Sequence, residues 1–416
     1  MRNAFATLLL TFSFAAAAQT FEQSTSLRLS ETPMSARAAA MGGASDPLGA
    51  DAADFASNPA LLASIRQPML SLSGAQTSYD IMRLDFDLGG GPFFEPNVVL
   101  DHTNIGQSFA HAAAAIPLRG FVLGIYARNE PSLRDGFLDY AEGTAEYEPV
   151  CRNPSDFACT YAVLLGVSAF ERRERRYGVS AAFERGPFSF GAGAEMHDLD
   201  ERYEVVRGSI PLSFGFERVV RRTSGRKIVP NAGVRWRVTP RIAVAAAYNG
   251  AAEHERVDDM CAFQLTSRDC TSRFVRLGES TVGGADAWRA SLAVAPVNNL
   301  LLTGEVVRRN YSKLDGDPGY VVTVFDDPTY QDATELHAGA EYRLGRLPLS
   351  LRAGWWREPA KADIADLLGL ESEDLEHRTL GIGIDVGAAR VDIAYDDAEA
   401  PAMRRAIVGI SYGFRR

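Results

Sequence analysis

The side chains that could do chemistry in this 416-residue sequence are few and widely spaced. Its six histidines (His102, His111, His197, His254, His337 and His377) never fall at the spacing by which imidazoles share a metal ion. No nucleophile stands beside a base, as hydrolytic chemistry would require. The acid pairs Asp258/Asp259 and Asp326/Asp327 read as solvated loop faces. GIGIDVG (381–387) is strand alternation and not a phosphate loop, because no helix follows it. No enzymatic activity, cofactor or metal is therefore expected. The four cysteines form two close pairs, Cys151/Cys159 and Cys261/Cys270, each enclosing a short polar loop. Two local disulfides are the favoured reading, and a zinc site, lacking ligand spacing, is the alternative. The remaining groups of interest are arginines at regular strand positions (Arg235, Arg237, Arg289, Arg343 and Arg352), whose forked guanidinium suits a carboxylate.

These arginines need elements to position them, and the elements declare themselves by period. Leu380, Ile382, Ile384 and Val386 alternate with Gly381, Gly383 and Asp385. Val234 and Trp236 alternate with Arg235 and Arg237; Leu336, Ala338, Ala340 and Tyr342 alternate with His337, Gly339, Glu341 and Arg343. Successive strand side chains point to opposite faces, so each segment carries one apolar face and one small or charged face. Fourteen such segments are expected, at about 68–87, 106–117, 119–130, 160–184, 187–205, 226–238, 240–256, 285–296, 299–313, 331–344, 347–358, 376–387, 389–397 and 404–414. The segment 160–184 holds ERRERR at 171–176 and could instead be two strands.

Connections alternate short (117–120, 185–187, 239–241, 297–299, 345–347, 387–390) and long (88–105, 131–159, 206–225, 257–284, 314–330, 359–375). An even strand number with short turns on one rim and long loops on the other is the plan of an all-β, antiparallel transmembrane β-barrel of the bacterial outer membrane. A secreted β-sandwich also alternates, but it would have to bury the charged face unpaired, which a wet lumen does not. Closure also pairs every backbone polar group in lipid. The final strand, AIVGISYGF, ends on the aromatic Phe414, similar to a barrel assembly signal, with Arg415 and Arg416 after it.

Two N-terminal stretches lie outside this pattern. Residues 1–18 carry Arg2, a short apolar run and a small-residue cleavage site, and so read as a secretory signal peptide rather than a buried helix. Residues 19–66 lack alternation, and their apolar content is modest: Leu48, Phe55, Leu61, Leu62 and Ile65. Such a segment either dangles in the periplasm or fills the lumen as a plug, where Asp46, Asp51 and Asp54 could pair with inward arginines. The barrel proper then occupies 67–416. The balance of 43 basic and 53 acidic residues argues against a nucleic-acid partner.

ARAAAMGGA (36–44), a short acidic stretch and Asn58-Pro59-Ala60 together resemble the opening signature of the FadL-type outer-membrane transporters. The resemblance rests on Met41, Gly42, Gly43, Asn58, Pro59 and Ala60. Members usually follow the triplet with glycine, where this chain has Leu61. The resemblance implies a monomeric fourteen-stranded barrel whose N-terminal segment is a hatch. It also implies uptake of hydrophobic molecules, long-chain fatty acids or aromatic hydrocarbons, by loop capture, lumen binding and lateral release. Two long loops suit capture because they are apolar for their position: Phe93 and Phe94 in one, and Ile364, Leu367 and Leu368 on one face of a short helix in the other. PorV-like relatives share the opening motif and work with secreted proteins, which gives the alternative function. An open porin would have no use for a plug.

Overall fold

The structure is a computed structural model that describes residues 33, 35–49, 51, 54–86, 96–130, 167–208, 216–263, 275–314, 329–345, 347–359, 362–363, 374–398 and 403–414. Residues 1–18, expected to be a signal peptide, and Phe93, Phe94, Ile364, Leu367, Leu368, Cys151, Cys159 and Cys270 lie outside the described residues.

After a five-residue helix α1 (Ala36–Ala40) and two 3-10 turns (Asp54–Ala56 and Pro59–Ser64), the described residues are almost wholly strand, with one further 3-10 turn at Tyr311–Leu314. The first six strands are β1 (Met69–Phe86), β2 (Pro96–Pro117), β3 (Val122–Asn129), β4 (Val167–Arg185), β5 (Phe188–Gly208) and β6 (Phe216–Thr239). There follow β7 (Ile242–Asn249), β8 (Glu253–Phe263), β9 (Val275–Gly283), β10 (Ala287–Val297) and β11 (Leu300–Arg309). The last are β12 (Thr329–Tyr330), β13 (Ala333–Arg343), β14 (Leu349–Glu358), β15 (Ala362–Asp363), β16 (Leu375–Val386), β17 (Ala389–Ala398) and β18 (Met403–Gly413).

All wall pairings are antiparallel, and the ring closes where Met69 of β1 faces Gly413 of β18. β7 and β8 both pair with β6, at its lower and upper halves, and β9 and β10 follow them in the same way. Each of these couples is one wall strand broken near mid-height, at 250–252 and 284–286. Counting them so, the wall has fourteen strands. β12 and β15 pair only with each other. Across the break, Asn231 faces Asn249 but Ser224 faces Glu255, so seven residue steps of β6 span six of its partner. That one-residue slip makes the inward set change from 243, 245 and 247 to 252, 254 and 256.

The period-two pattern resolves into outside and inside as read. Leu380, Ile382, Ile384 and Val386 are exposed on the outer face, and so are Trp236, Trp288 and Leu336. This belt of large apolar side chains is what a bilayer covers. Phe188 stacks on Trp236 at 5.9 Å beside the short-turn rim, where an aromatic girdle belongs. The ERRERR stretch sits within a single strand, with Glu174 and Arg176 buried inward and Arg173 and Arg175 exposed outward.

Three stretches expected to be loops need correcting. β2 already begins at Pro96, β5 and β6 run to Gly208 and from Phe216, and β8 and β9 run to Phe263 and from Val275. Beyond the apolar belt both faces meet water, so the ladder continues while the alternation that reveals it fades.

Candidate functional site

The N-terminal residues lie inside the barrel and touch opposite walls. The turn Asp54–Ser64 packs on β3 to β6, and α1 packs on β14, β16, β17 and β18. Both anchor points are built from the motif residues. Asn58 caps its 3-10 turn by accepting from the Ala60 amide at 3.0 Å, with Pro59 in the first turn, where its missing N–H costs nothing. Its own Nδ2 donates to the Ala246 carbonyl on β7 at 3.3 Å. The wall admits this approach by lacking side chains. A Cβ on Gly191 would lie 2.3 Å from the Pro59 carbonyl carbon, and one on Gly233 would lie 2.0 Å from Asn58 Oδ1. Leu61, Leu62 and Phe55 are buried beside these contacts, and Phe55 meets Tyr126 of β3 edge-on at 5.4 Å.

At the other wall, Ser35 caps α1 and Met41 ends it. Gly42 follows at φ 65°, a conformation that favours glycine, with its amide donating to Thr379 Oγ1 at 3.1 Å. His337 Nδ1 meets the Gly42 carbonyl at 2.7 Å. His337 in turn stacks on Trp356, which stacks on His377, and His377 contacts Asp396 at 3.0 Å.

Asp46 and Asp54 of the segment pair with its own Arg37, and Arg37 in turn reaches the wall. It donates to Glu341 at 3.1 Å and to Asp46 at 2.7 Å, with Asp54 at 3.8 Å. Glu341 also accepts from Arg352 at 2.8 Å and Arg343 at 3.0 Å, and Arg352 pairs with Asp392 at 2.8 Å. On the far side, the Ser45 amide and hydroxyl donate to Glu305. Burial, reinforced by neighbouring Asp51, pushes the Asp54 carboxyl well above the usual carboxylate range.

The five candidate arginines all point inward, but only one of them lines the cavity. Arg235 is buried beneath the segment, bonded to Ser189 at 2.6 Å and to Ser64. Arg352 is held by Glu341 and Asp392. Arg237 and Arg343 sit at the short-turn rim, beside Glu184 at 3.6 Å and Glu341 respectively. Arg289 alone lines a cavity of about 90 Å³ between the segment and the long-loop rim, and it pairs with Glu305 at 2.9 Å. Ala56 and Ser57 form one side of this cavity, and Arg128, Glu174, Glu195, His197, Asn231 and His254 form much of the rest. Parity identified the lumen-facing residues, but it could not say which were already consumed by the segment.

No protein-family model matches the chain, and no curated sequence does. Solved structures do. A FadL homologue of Pseudomonas aeruginosa superposes with a TM-score of 0.66 at 13% identity, over 92% of this chain and 99% of that one. The Ralstonia pickettii toluene transporter TbuX follows at 0.59 and 14%, over 93% and 99%. The Pseudomonas putida toluene transporter TodX is similar at 0.57 and 15%, over 93% and 99%. This chain has the FadL-type fold. In this FadL-type barrel the residues that carried the resemblance, Met41-Gly42-Gly43 and Asn58-Pro59-Ala60, are the ones that seat the N-terminal segment on the two walls. Sequence reasoning did not single out Arg37, Asn231, Asn249 or the His337–Trp356–His377 stack. Their signal was inward parity beside small wall residues, which becomes readable only once the register is known. Cys261, at the outer end of β8, is buried and disulfide-bonded.

Proposed function

We propose that this chain is a bacterial outer-membrane channel for hydrophobic molecules, with residues 1–18 a signal peptide, 19–66 a hatch and 67–416 the barrel. The observation that carries this reading is the seating of the motif residues inside a closed barrel. Asn58 and Gly42 fix the hatch to opposite walls, with a cavity on its outer side. An open porin has no use for such a hatch. The fold similarity to toluene transporters supports the same class of cargo.

On this reading Phe93, Phe94, Ile364, Leu367 and Leu368 capture cargo at the outer loops. The cargo is a long-chain fatty acid, an aromatic hydrocarbon or a similar molecule. It enters the cavity beside Arg289 and leaves through the wall into the membrane, so that it never crosses the hatch as a hydrated solute. The remaining cysteines pair locally, Cys151 with Cys159 and Cys261 with Cys270, and brace the outer loops. The protein works as a monomer, without cofactor or metal and without catalysis.

The test is accumulation of radiolabelled toluene, oleate and benzyl alcohol by a transporter-deficient outer-membrane strain expressing the chain. Faster uptake of at least one of the three than in the empty strain, reduced by Asn58→Ala, is the expected result. Unchanged uptake together with co-purification of a secreted protein would favour the PorV-like alternative.

A further inference from the structure

The cavity wall and the strand row that continues from it carry polar groups with no partner among the described residues. Cross-strand pairing places Ser180 opposite Gly193, Gly193 opposite Asn231, and Asn231 opposite Asn249, one row across four neighbouring strands. Asn231 is 3% exposed, and neither its Oδ1 nor its Nδ2 has a hydrogen-bond partner among the described residues. Asn249 Oδ1, Ser180 Oγ and His254 Nδ1 are likewise unpartnered there. Asn231, Asn249 and His254 all line the cavity. Gly193 keeps the row open, since a Cβ there would lie 2.2 Å from Ser180 Oγ and 2.5 Å from Asn231 Oδ1. A buried polar atom without a partner costs about 1–3 kcal/mol, so a cluster of them is a site awaiting a ligand or a defect.

Each of the five arginines lining the cavity is already paired with a glutamate, Arg172 with Glu174 at 2.5 Å. Arg128 pairs with Glu195 at 3.3 Å, Arg176 with Glu174 at 2.6 Å, Arg289 with Glu305 at 2.9 Å and Arg309 with Glu335 at 2.6 Å. A carboxylate entering here would find those arginines engaged and would meet Glu174 and Glu195. It would also only accept, leaving Asn231 Oδ1 unmet. A bare hydrocarbon would satisfy none of the row and would strip water from every group in it. A hydroxyl both donates and accepts, and matches an amide whose two ends are both free whichever way it is turned.

Resting on the channel reading above, we propose that Ser180, Asn231, Asn249 and His254 form a head-group site, and that the cargo is a neutral hydrophobic molecule bearing a hydroxyl. The cavity of about 90 Å³ is smaller than the 150 Å³ pocket that holds a benzene ring. It therefore receives the polar head, while the apolar body extends toward the outer loops. A site built to hydrogen-bond a hydroxyl discriminates strongly against analogues lacking it.

The experiment measures initial uptake of radiolabelled benzyl alcohol, toluene and benzoate, matched in size, by a transporter-deficient strain expressing the full chain. The expected result is benzyl alcohol uptake above the empty strain by at least about tenfold more than toluene. Asn231→Leu should abolish that preference while leaving a folded, heat-modifiable barrel, since it removes no hydrogen bond; Asn249→Leu provides an independent second variant. Equal uptake of toluene and benzyl alcohol, a preference for benzoate, or a preference untouched by both variants would overturn the head-group site and leave the channel standing. No uptake of any probe above the empty strain would overturn the channel reading, and this inference with it.

Discussion

Asn58 and Gly233 are fitted to one another: the asparagine side chain occupies the space where a Cβ on residue 233 would stand, 2.0 Å from its Oδ1. The contact joins a hatch residue to the inner face of β6, some 175 positions later in the chain (233 − 58). Gly233→Val should therefore unseat the hatch without unfolding the barrel, whose ladder does not depend on that side chain. The expected outcome is protease cleavage within 19–66 in folded protein, alongside unchanged heat-modifiable migration. Full protection of the segment would show that the contact is dispensable.

Arg37 is the hub of the second anchor, between Glu341 of β13 and the segment's own Asp46. Arg37→Met removes the cation that buried Asp46 and Asp54 share, while Glu341 keeps Arg352 and Arg343. Breaking a buried ion pair from one side typically costs about 3–5 kcal/mol. The loss should show as ion conductance of the purified barrel in planar bilayers raised above that of the wild type.

Asp54 supplies a pH signature. Its folded-state pKa is raised by burial and by Asp51, so it stands above the unfolded value of about 3.9. The stability it contributes is complete below that unfolded value and is lost as pH rises through the folded one. Asp54→Asn should slow hydrogen exchange of the hatch relative to wild type at neutral pH, with the two converging under acid conditions. A constant difference at all pH values would contradict the assignment.

Leu380 belongs to the outer belt, where it is 63% exposed. Leu380→Arg should reduce the free energy of folding into lipid vesicles by up to about 2–4 kcal/mol, the cost of a cation at the bilayer midplane. Its neighbour Gly381 faces the lumen, 2.4 Å (as a built Cβ) from Ala40 of the hatch. A substitution there should affect hatch seating instead.

The barrel was legible because lipid and lumen impose opposite demands on alternate residues, and LGIGIDV or Val234-Arg235-Trp236-Arg237 record both. The strand ends above the belt were not legible, because at Val98 or Asp258 that contrast is absent. The motif residues were found through their likeness to a family signature, and the structure supplies the physical reason for them. Gly42 adopts a positive φ against β14, and Asn58-Pro59 make a capped turn against wall glycines. The division of labour among the inward arginines was hidden, because it depends on where the hatch stops. Arg235 and Arg352 fall beneath it or beside it, while Arg289 stands clear.

The cavity beyond Ala56 and Ser57 is where cargo must lodge if the chain is a channel for hydrophobic molecules. A crystal structure of the purified protein soaked with 4-bromobenzyl alcohol, read at the bromine absorption edge, locates that cargo directly. An anomalous peak is expected between the cavity and the long-loop rim, with the hydroxyl within hydrogen-bond distance of Asn231. Bromine only on the outer belt, with the lumen holding nothing but water, would contradict that expectation.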